Sequence, residues 1–349
     1  MTGAVIHVRS YEPELAASWA DYVGGHPDGT FFHELAWKSA VETAFGHRAQ
    51  DLIALRGRRI VGVLPMFQIE SVIAGRMLVS QPYATYGGVL ADDAEASAVL
   101  IAEAQSLMRR CGARVLELRS IRAASEDHSI RRSHATYIRD LPRDPRLVDV
   151  LLPRKARAAA RKAVERSSLT VEFGRHLLRD IWRLYIRSMR KLGSPNYPLR
   201  FFEAIDRAAS GSVVSQMVRC DGVPVAGLLT FVHRGTVMPY FVGMDDRREI
   251  YGLSQYVYVE SMRHAVSLGC ERYDFGRSRI DNTGACAFKR GCGFEPRVLE
   301  YQDIVPKGSA APDLAPSSPR WRAARHLWRK LPLGVTRPLG SWLARSIPG

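Results

Sequence analysis

The sequence predicts a mixed α/β (α+β) chain built from two similar halves. Three observations carry this: two related β-hairpins, a long glycine-stopped helix with a short strand after it in each half, and a length suited to two domains. The chain has 349 residues, and one domain commonly holds ~100–200. Apolar residues make up 46% and charged residues 24%, so a sizeable core can form.

The first hairpin is expected over residues 52–67, LIALRGRRIVGVLPMF, and the second over 217–232, MVRCDGVPVAGLLTFV. Each has two apolar runs joined through a glycine-containing turn. Gly57 matches Gly222 and Gly62 matches Gly227 at a common offset of 165. Downstream, Pro82–Asp93 (PYATYGGVLADD) resembles Pro239–Arg248 (PYFVGMDDRR) and is read as the same next strand.

Helices then follow over Ala94–Cys111 and Leu253–Leu268. In the second, Tyr256, Val259, Met262 and Val266 recur at helical spacing. Gly112 and Gly269 stop them, as a helix C-terminus prefers. Short strands are expected at Arg114–Leu118 and Arg272–Phe275. Between the halves, Pro153 opens a basic helix carrying Arg154, Lys155, Arg157, Arg161, Lys162 and Arg166. Further helices are expected over 34–45, 177–193 and 201–209. The domains are drawn at 1–145, 146–304 and a tail at 305–349. The tail opens as a linker, KGSAAPDLAPSSP, and becomes basic, with three Trp, seven Lys/Arg and no acid from Arg320 onward. It suits an anionic membrane surface and equally suits packing on the body.

The net charge of +15 speaks to partners and solubility, not fold. Five cysteines without a C-x-x-C pair indicate neither a disulfide framework nor a zinc site. There is no signal-peptide pattern and no run near the ~18 apolar residues of a membrane span. The expected location is the cytoplasm, with a peripheral position on the inner face of its membrane left open. Covalent serine, zinc and P-loop chemistry lack their motifs.

The segment richest in chemistry is Tyr273–Pro296, YDFGRSRIDNTGACAFKRGCGFEP. It follows a strand end, where ligands commonly sit in α/β folds. Asp274 stands there among Arg277, Lys289 and Arg290, an arrangement suited to an anionic substrate or to orienting an amine. Asp274 pairing with Arg277, and a surface Lys289, fit equally well; Glu117 holds the matching place in the first half. A second candidate is the helix start at Asp245–Ser254. Arg247, Arg248, Gly252 and Ser254 there suit phosphates. Asp245 and Asp246 would make a turn ahead of it. The loop Arg190–Phe202 offers Tyr197 and Arg200, and the turn Gln81–Gly88 offers Tyr86.

These residues resemble the FemAB-related proteins of the GNAT-like N-acyltransferase superfamily. They particularly resemble the subgroup associated with exosortase/PEP-CTERM and exopolysaccharide systems. The resemblance rests on FFHELAWKSAVETAFGH (31–47), QPYATYGGVLAD (81–92), RKLGSPNYPLRFF (190–202), GLSQYVYVESMRHAVSLG (252–269) and the segment 273–296. It implies two tandem GNAT-like domains and transfer of an acyl or aminoacyl group to an amine of an envelope or exopolysaccharide precursor. The Phe288-Lys289 to Gly293-Phe294 stretch matches the F-K-x-x-x-G-F segment of Fem enzymes, which makes Lys289 an active-site cation. Asp274 would position or deprotonate the amine. Arg277, Phe288, Tyr197, Arg200 and Tyr86 would line the substrate. The donor is either aminoacyl-tRNA or acyl-CoA, with no tightly bound cofactor and no metal. The chain departs from the family at Arg247–Ser254, where one glycine stands in place of Q/R-x-x-G-x-G/A. Two other readings stay open: an acyl-CoA-dependent enzyme acting on an amino sugar, and a non-catalytic protein of a polysaccharide machine.

Overall fold

A computed structural model describes residues 5–125, 128–245, 247–306, 308–310, 312 and 319–349. Asp246 of the expected turn and most of the linker-like stretch 307–318 lie outside the described residues. The chain forms two compact units. The first holds Met1–Arg132, Leu299–Arg322 and Trp342–Gly349; the second holds Ser133–Val298 and Ala323–Ser341.

The first unit begins with β1 (Ile6–Ser10), α1 (Ala16–Gly25), α2 (Leu35–Phe45) and β2 (Arg48–Ala49). The hairpin β3 (Leu52–Arg56)–β4 (Arg59–Leu64) follows, then a second hairpin, β5 (Phe67–Ser71)–β6 (Gly75–Val79). It closes with β7 (Leu90–Ala91), α3 (Ala94–Cys111), β8 (Leu116–Leu118) and β9 (Ile130–Arg131). One sheet has the order β1-β3-β4-β7; the other places β2, β5, β6 and β8 beside the strand Tyr301–Ile304 and β9. The helix α3 has the expected bounds because both ends are signalled locally. The Asp93 carboxylate accepts from the Ala96 N–H at 2.8 Å, and Gly112 takes the left-handed conformation, φ 67°. Its Leu100, Ile101, Ala104 and Met108 fill the core against β3 and β4.

The second unit opens with β10 (His134–Asp140), α4 (Val148–Leu151) and α5 (Arg154–Arg166). Next come β11 (Leu169–Phe173), α6 (Leu178–Leu192) and α7 (Leu199–Ala208). The strands β12 (Val213–Cys220), β13 (Val223–His233) and β14 (Thr236–Met244) lead into α8 (Leu253–Ser267) and β15 (Arg272–Asp274). Then follow β16 (Ser278–Arg279), α9 (Thr283–Gly291) and β17 (Pro296–Val298). The sheet runs β11-β12-β13-β14-β15-β10-β16, with β17 also on β10. Tyr256, Val259, Met262 and Val266 of α8 are all buried. Ala156, Ala160 and Ala163 of α5 pack in the same core, Ala159 is also buried, and the helix's arginines and lysines stay outside.

The internal repeat is real, but its register differs from the glycine match. Arg56 pairs with Arg59 across one turn, and Cys220 with Val223 across the other, which sets the offset at 164. The bulges agree, falling at Ala54/Leu55 and Val218/Arg219. The structural counterpart of Gly57 (φ 63°) is therefore Asp221 (φ 51°), both left-handed. A one-residue slip would turn every side chain to the opposite face of the sheet; apolar runs alone do not see it. The expected strand within Pro82–Asp93 also differs. Gln81 and Tyr83 are left-handed, φ 48° and 64°, and they turn the chain before the short β7. The counterpart of β14 is β6, since each lies parallel to the strand after the long helix, β6 on β8 and β14 on β15.

The domain boundary expected at residue 145 separates β10 from the second half. In the structure β10 fills the seat between β15 and β16 and belongs to the second unit, whereas Leu299–Arg322 goes with the first.

Candidate active site

In the second unit, β14 and β15 are parallel neighbours for only two pairs, Thr236↔Arg272 and Val237↔Tyr273. Beyond them β14 continues along β13 through a bulge between Leu229 and Thr230, which leaves Tyr240 without an opposite residue. β15 instead follows β10, with Ile138 opposite Asp274. The ladder thus ends where Asp274 begins.

Asp274 is buried. Its Oδ1 accepts from the Thr136 hydroxyl at 2.8 Å and from the Gly276 N–H at 2.9 Å. Gly276 is left-handed at φ 70°, which lets the chain turn back toward its own carboxylate. From the following helix, Lys289 reaches inward. Its Nζ donates to the Gly276 carbonyl at 2.7 Å and the Arg277 carbonyl at 3.3 Å. It also lies over the rings of Tyr137 (5.1 Å) and Phe275 (5.5 Å). The helix carrying it is capped by the Asn282 side chain, which accepts from Ala285 N–H. Burial pushes the Lys289 ammonium down to about 8, opposed by the nearby charges of Asp274 and Cys286. Burial, followed by a hydrogen bond with Cys286, pushes the Tyr137 hydroxyl up to about 12. The result is one buried lysine poised near neutral pH beside one locked carboxylate.

The remaining residues fall into place unevenly. The Arg277 carbonyl holds Lys289, and its side chain is half-buried. Phe288 packs among Phe275 and Tyr258, with ring centres at 6.1 and 5.8 Å. Tyr197 sits in a separate aromatic group with Tyr185, Phe201 and Phe241, and Arg200 is exposed at the start of α7. Tyr86 is buried in the first unit, edge-on to Phe32. Arg247 is exposed and makes a two-point ion pair with the buried Asp245, 2.9 Å from each carboxylate oxygen. Arg248 is exposed, and the Ser254 hydroxyl lies 3.5 Å from the Met244 sulfur. Gly252 is left-handed (φ 79°), and a Cβ there would come within 2.0 Å of the Ala159 carbonyl; it lets α5 and α8 approach. Glu117, the acid of the first half, is held by Arg119 at 2.8 Å and Arg131 at 3.3 Å.

Thr136, Tyr137, Gly276 and Cys286 were not singled out from the sequence. Thr136 lies 138 positions before Asp274, and no local pattern links them. Cys286 had a weak signal, one helical turn before Lys289.

The fold is that of tandem GNAT-like proteins, with mixed sheets and the parted parallel pair of the second unit. Residues 153–290 match the family model described as an acetyltransferase (GNAT) domain. Among solved structures, FemX aligns with a TM-score of 0.64 at 14% identity, covering 86% of this chain and 97% of its own. A tandem GNAT protein from the clavulanic acid biosynthesis pathway aligns at 0.55 and 13%, over 88% and 100%. L-PGS from Bacillus licheniformis aligns at 0.57 and 13%, over 89% and 96%. No curated protein sequence matches the chain significantly.

Proposed function

We propose that the protein is an N-acyltransferase that moves an acyl or aminoacyl group onto an amine, with its chemistry at Asp274 and Lys289. The observation that carries this reading is that Asp274 and Lys289 are both buried and both hydrogen-bonded to Gly276, at the point where β14 and β15 part. Both residues lie inside the stretch matched by the acetyltransferase family model. FemX and L-PGS share the fold and support an aminoacyl donor; the family model supports an acyl-CoA donor. The two donors share one chemistry, an activated carbonyl on a phosphate-bearing carrier.

In the proposed reaction the neutral amine attacks the ester or thioester carbonyl, forming a C–N bond. The carbonyl electrons move onto oxygen. Lys289 has three donors, of which two hold backbone carbonyls; in the proposed reaction its ammonium stabilises that oxyanion. Collapse breaks the bond to the carrier oxygen or sulfur, which leaves with the electron pair. The amine loses one proton and the leaving group gains one. Asp274, fixed by Thr136 and Gly276, orients the amine and takes its proton in transit. In this reading the exposed Arg248 and the start of α8 at Gly252 and Ser254 hold the carrier's phosphates, and Arg247 braces that loop through Asp245. The acceptor is an amine of an envelope or exopolysaccharide precursor.

The test incubates the chain with radiolabelled aminoacyl-tRNA or acyl-CoA and a panel of amino-sugar and peptide amines. Amide product from either donor supports the reading and names the carrier. No product from either, with tight glycan binding, replaces it with a binding role.

A further inference from the structure

The basic tail resolves into two faces. It forms α10 (Pro319–Lys330) and α11 (Leu333–Ala344). One face is docked. Asn196 Nδ2 donates to the Arg337 carbonyl at 3.2 Å and the Ser341 hydroxyl at 3.1 Å. Arg325 and Arg329 both reach the Leu192 carbonyl, and Arg190 reaches that of Leu331. Trp328 is buried, and a Cβ on Gly340 would come within 2.4 Å of the Asn196 side chain, so α11 lies close against that loop. Packing therefore fixes how each helix is rolled.

The other face is apolar and uncovered. On α11, Val335, Leu339 and Trp342 stand at positions i, i+4 and i+7, one stripe of a helix. They are 46%, 38% and 60% exposed, and Leu327 of α10 is 61% exposed. Exposed cations lie on the same segment, Arg322 and Lys330 on α10 and Arg345 just past α11, while the exposed Arg337 stands on a different side of α11 from the stripe. Residues 319–349 contain no Asp or Glu. No described helix is long and apolar enough to cross a membrane.

We propose that this outer face of the tail is a docking surface for an anionic lipid bilayer, with Trp342, Leu339 and Val335 inserted at headgroup depth. An amphipathic helix binds in the plane of the interface by burying its apolar face while its cations meet anionic headgroups. Trp is favoured at that depth because it has an apolar body and a polar N–H. A nucleic acid would use the cations but not the aliphatic stripe. Charge complementarity and the exposed stripe together select the bilayer. The inference goes beyond the transfer reaction and stands without it.

The test is co-sedimentation of the full chain with phosphatidylcholine vesicles, with and without about 30% phosphatidylserine, alongside L339S/W342S. The expected result is binding to the anionic vesicles only, weakened at least tenfold in the double variant and reduced by salt. Both substitutions are on the exposed face, so the melting temperature and the transfer rate on a soluble acceptor stay at the wild-type level. Equal binding by wild type and variant, or no binding by wild type, overturns the proposal. So does salt-sensitive binding to a random RNA that competes with vesicles and is indifferent to L339S/W342S.

Discussion

Lys289→Met lowers transfer turnover about 10²- to 10³-fold, the loss that follows removal of one oxyanion donor, while the fold persists. Methionine keeps an unbranched apolar stem and removes the ammonium that lies over Tyr137 and Phe275, with its charge and its donors. The stability effect has a definite sign. Burial lowers the folded-state pKa of Lys289 from 10.5 to about 8, so the unfolded chain binds the proton more tightly. The buried ammonium therefore costs stability in full below about pH 8, and the cost fades as pH rises toward 10.5. Wild type should gain on Lys289→Met in thermal melts across that window, with the variant relatively more stable at pH 7. Turnover within threefold of wild type, from a folded variant, removes Lys289 from the chemistry.

Asp274→Asn tests the partner and its coupling to the lysine together. The amide oxygen can still accept from Thr136 or Gly276, so the turn at Gly276 is retained, but the negative charge is gone. Turnover is expected to fall about 10²- to 10⁴-fold if the carboxylate carries the proton. A separate consequence concerns pH. The Asp274 charge raises the Lys289 pKa against burial. Without it the ammonium deprotonates at lower pH, and the alkaline limb of residual activity moves down from near pH 8 by about a unit. A merely structural Asp274 would lower activity without moving that limb. The pH profile of amide formation, read by mass spectrometry, separates the two.

Legibility in the sequence followed the range of the forces involved. The helix α3 was readable to the residue because Asp93 and Gly112 act within one turn of its ends. The buried stripe of α8 was readable from spacing alone. Asp274 and Lys289 could be linked because a short strand-to-helix connection brings them together. Thr136 and Tyr137 could not, since the strand that carries them pairs with Asp274 from far earlier in the chain. The turn at Gln81–Gly88 is readable from its composition, but the left-handed backbone of Gln81 and Tyr83 is not, because neither residue type announces it. The register of the internal repeat was missed by one residue because glycines were matched where hairpin pairing decides. The tail's composition allowed packing or a membrane; its two faces separate only once Asn196 and the Leu192 carbonyl fix the helices' roll.

The central claim is that transfer occurs where β14 and β15 part, beside Asp274 and Lys289. Hydrogen–deuterium exchange of the full chain, with and without a non-transferable donor analogue, addresses it directly. The account predicts new protection in Pro239–Asp245, Gly252–Tyr256 and Asp274–Ser278. Protection confined to the first unit's 80–93 and 116–120, with the second unit unchanged, would contradict it.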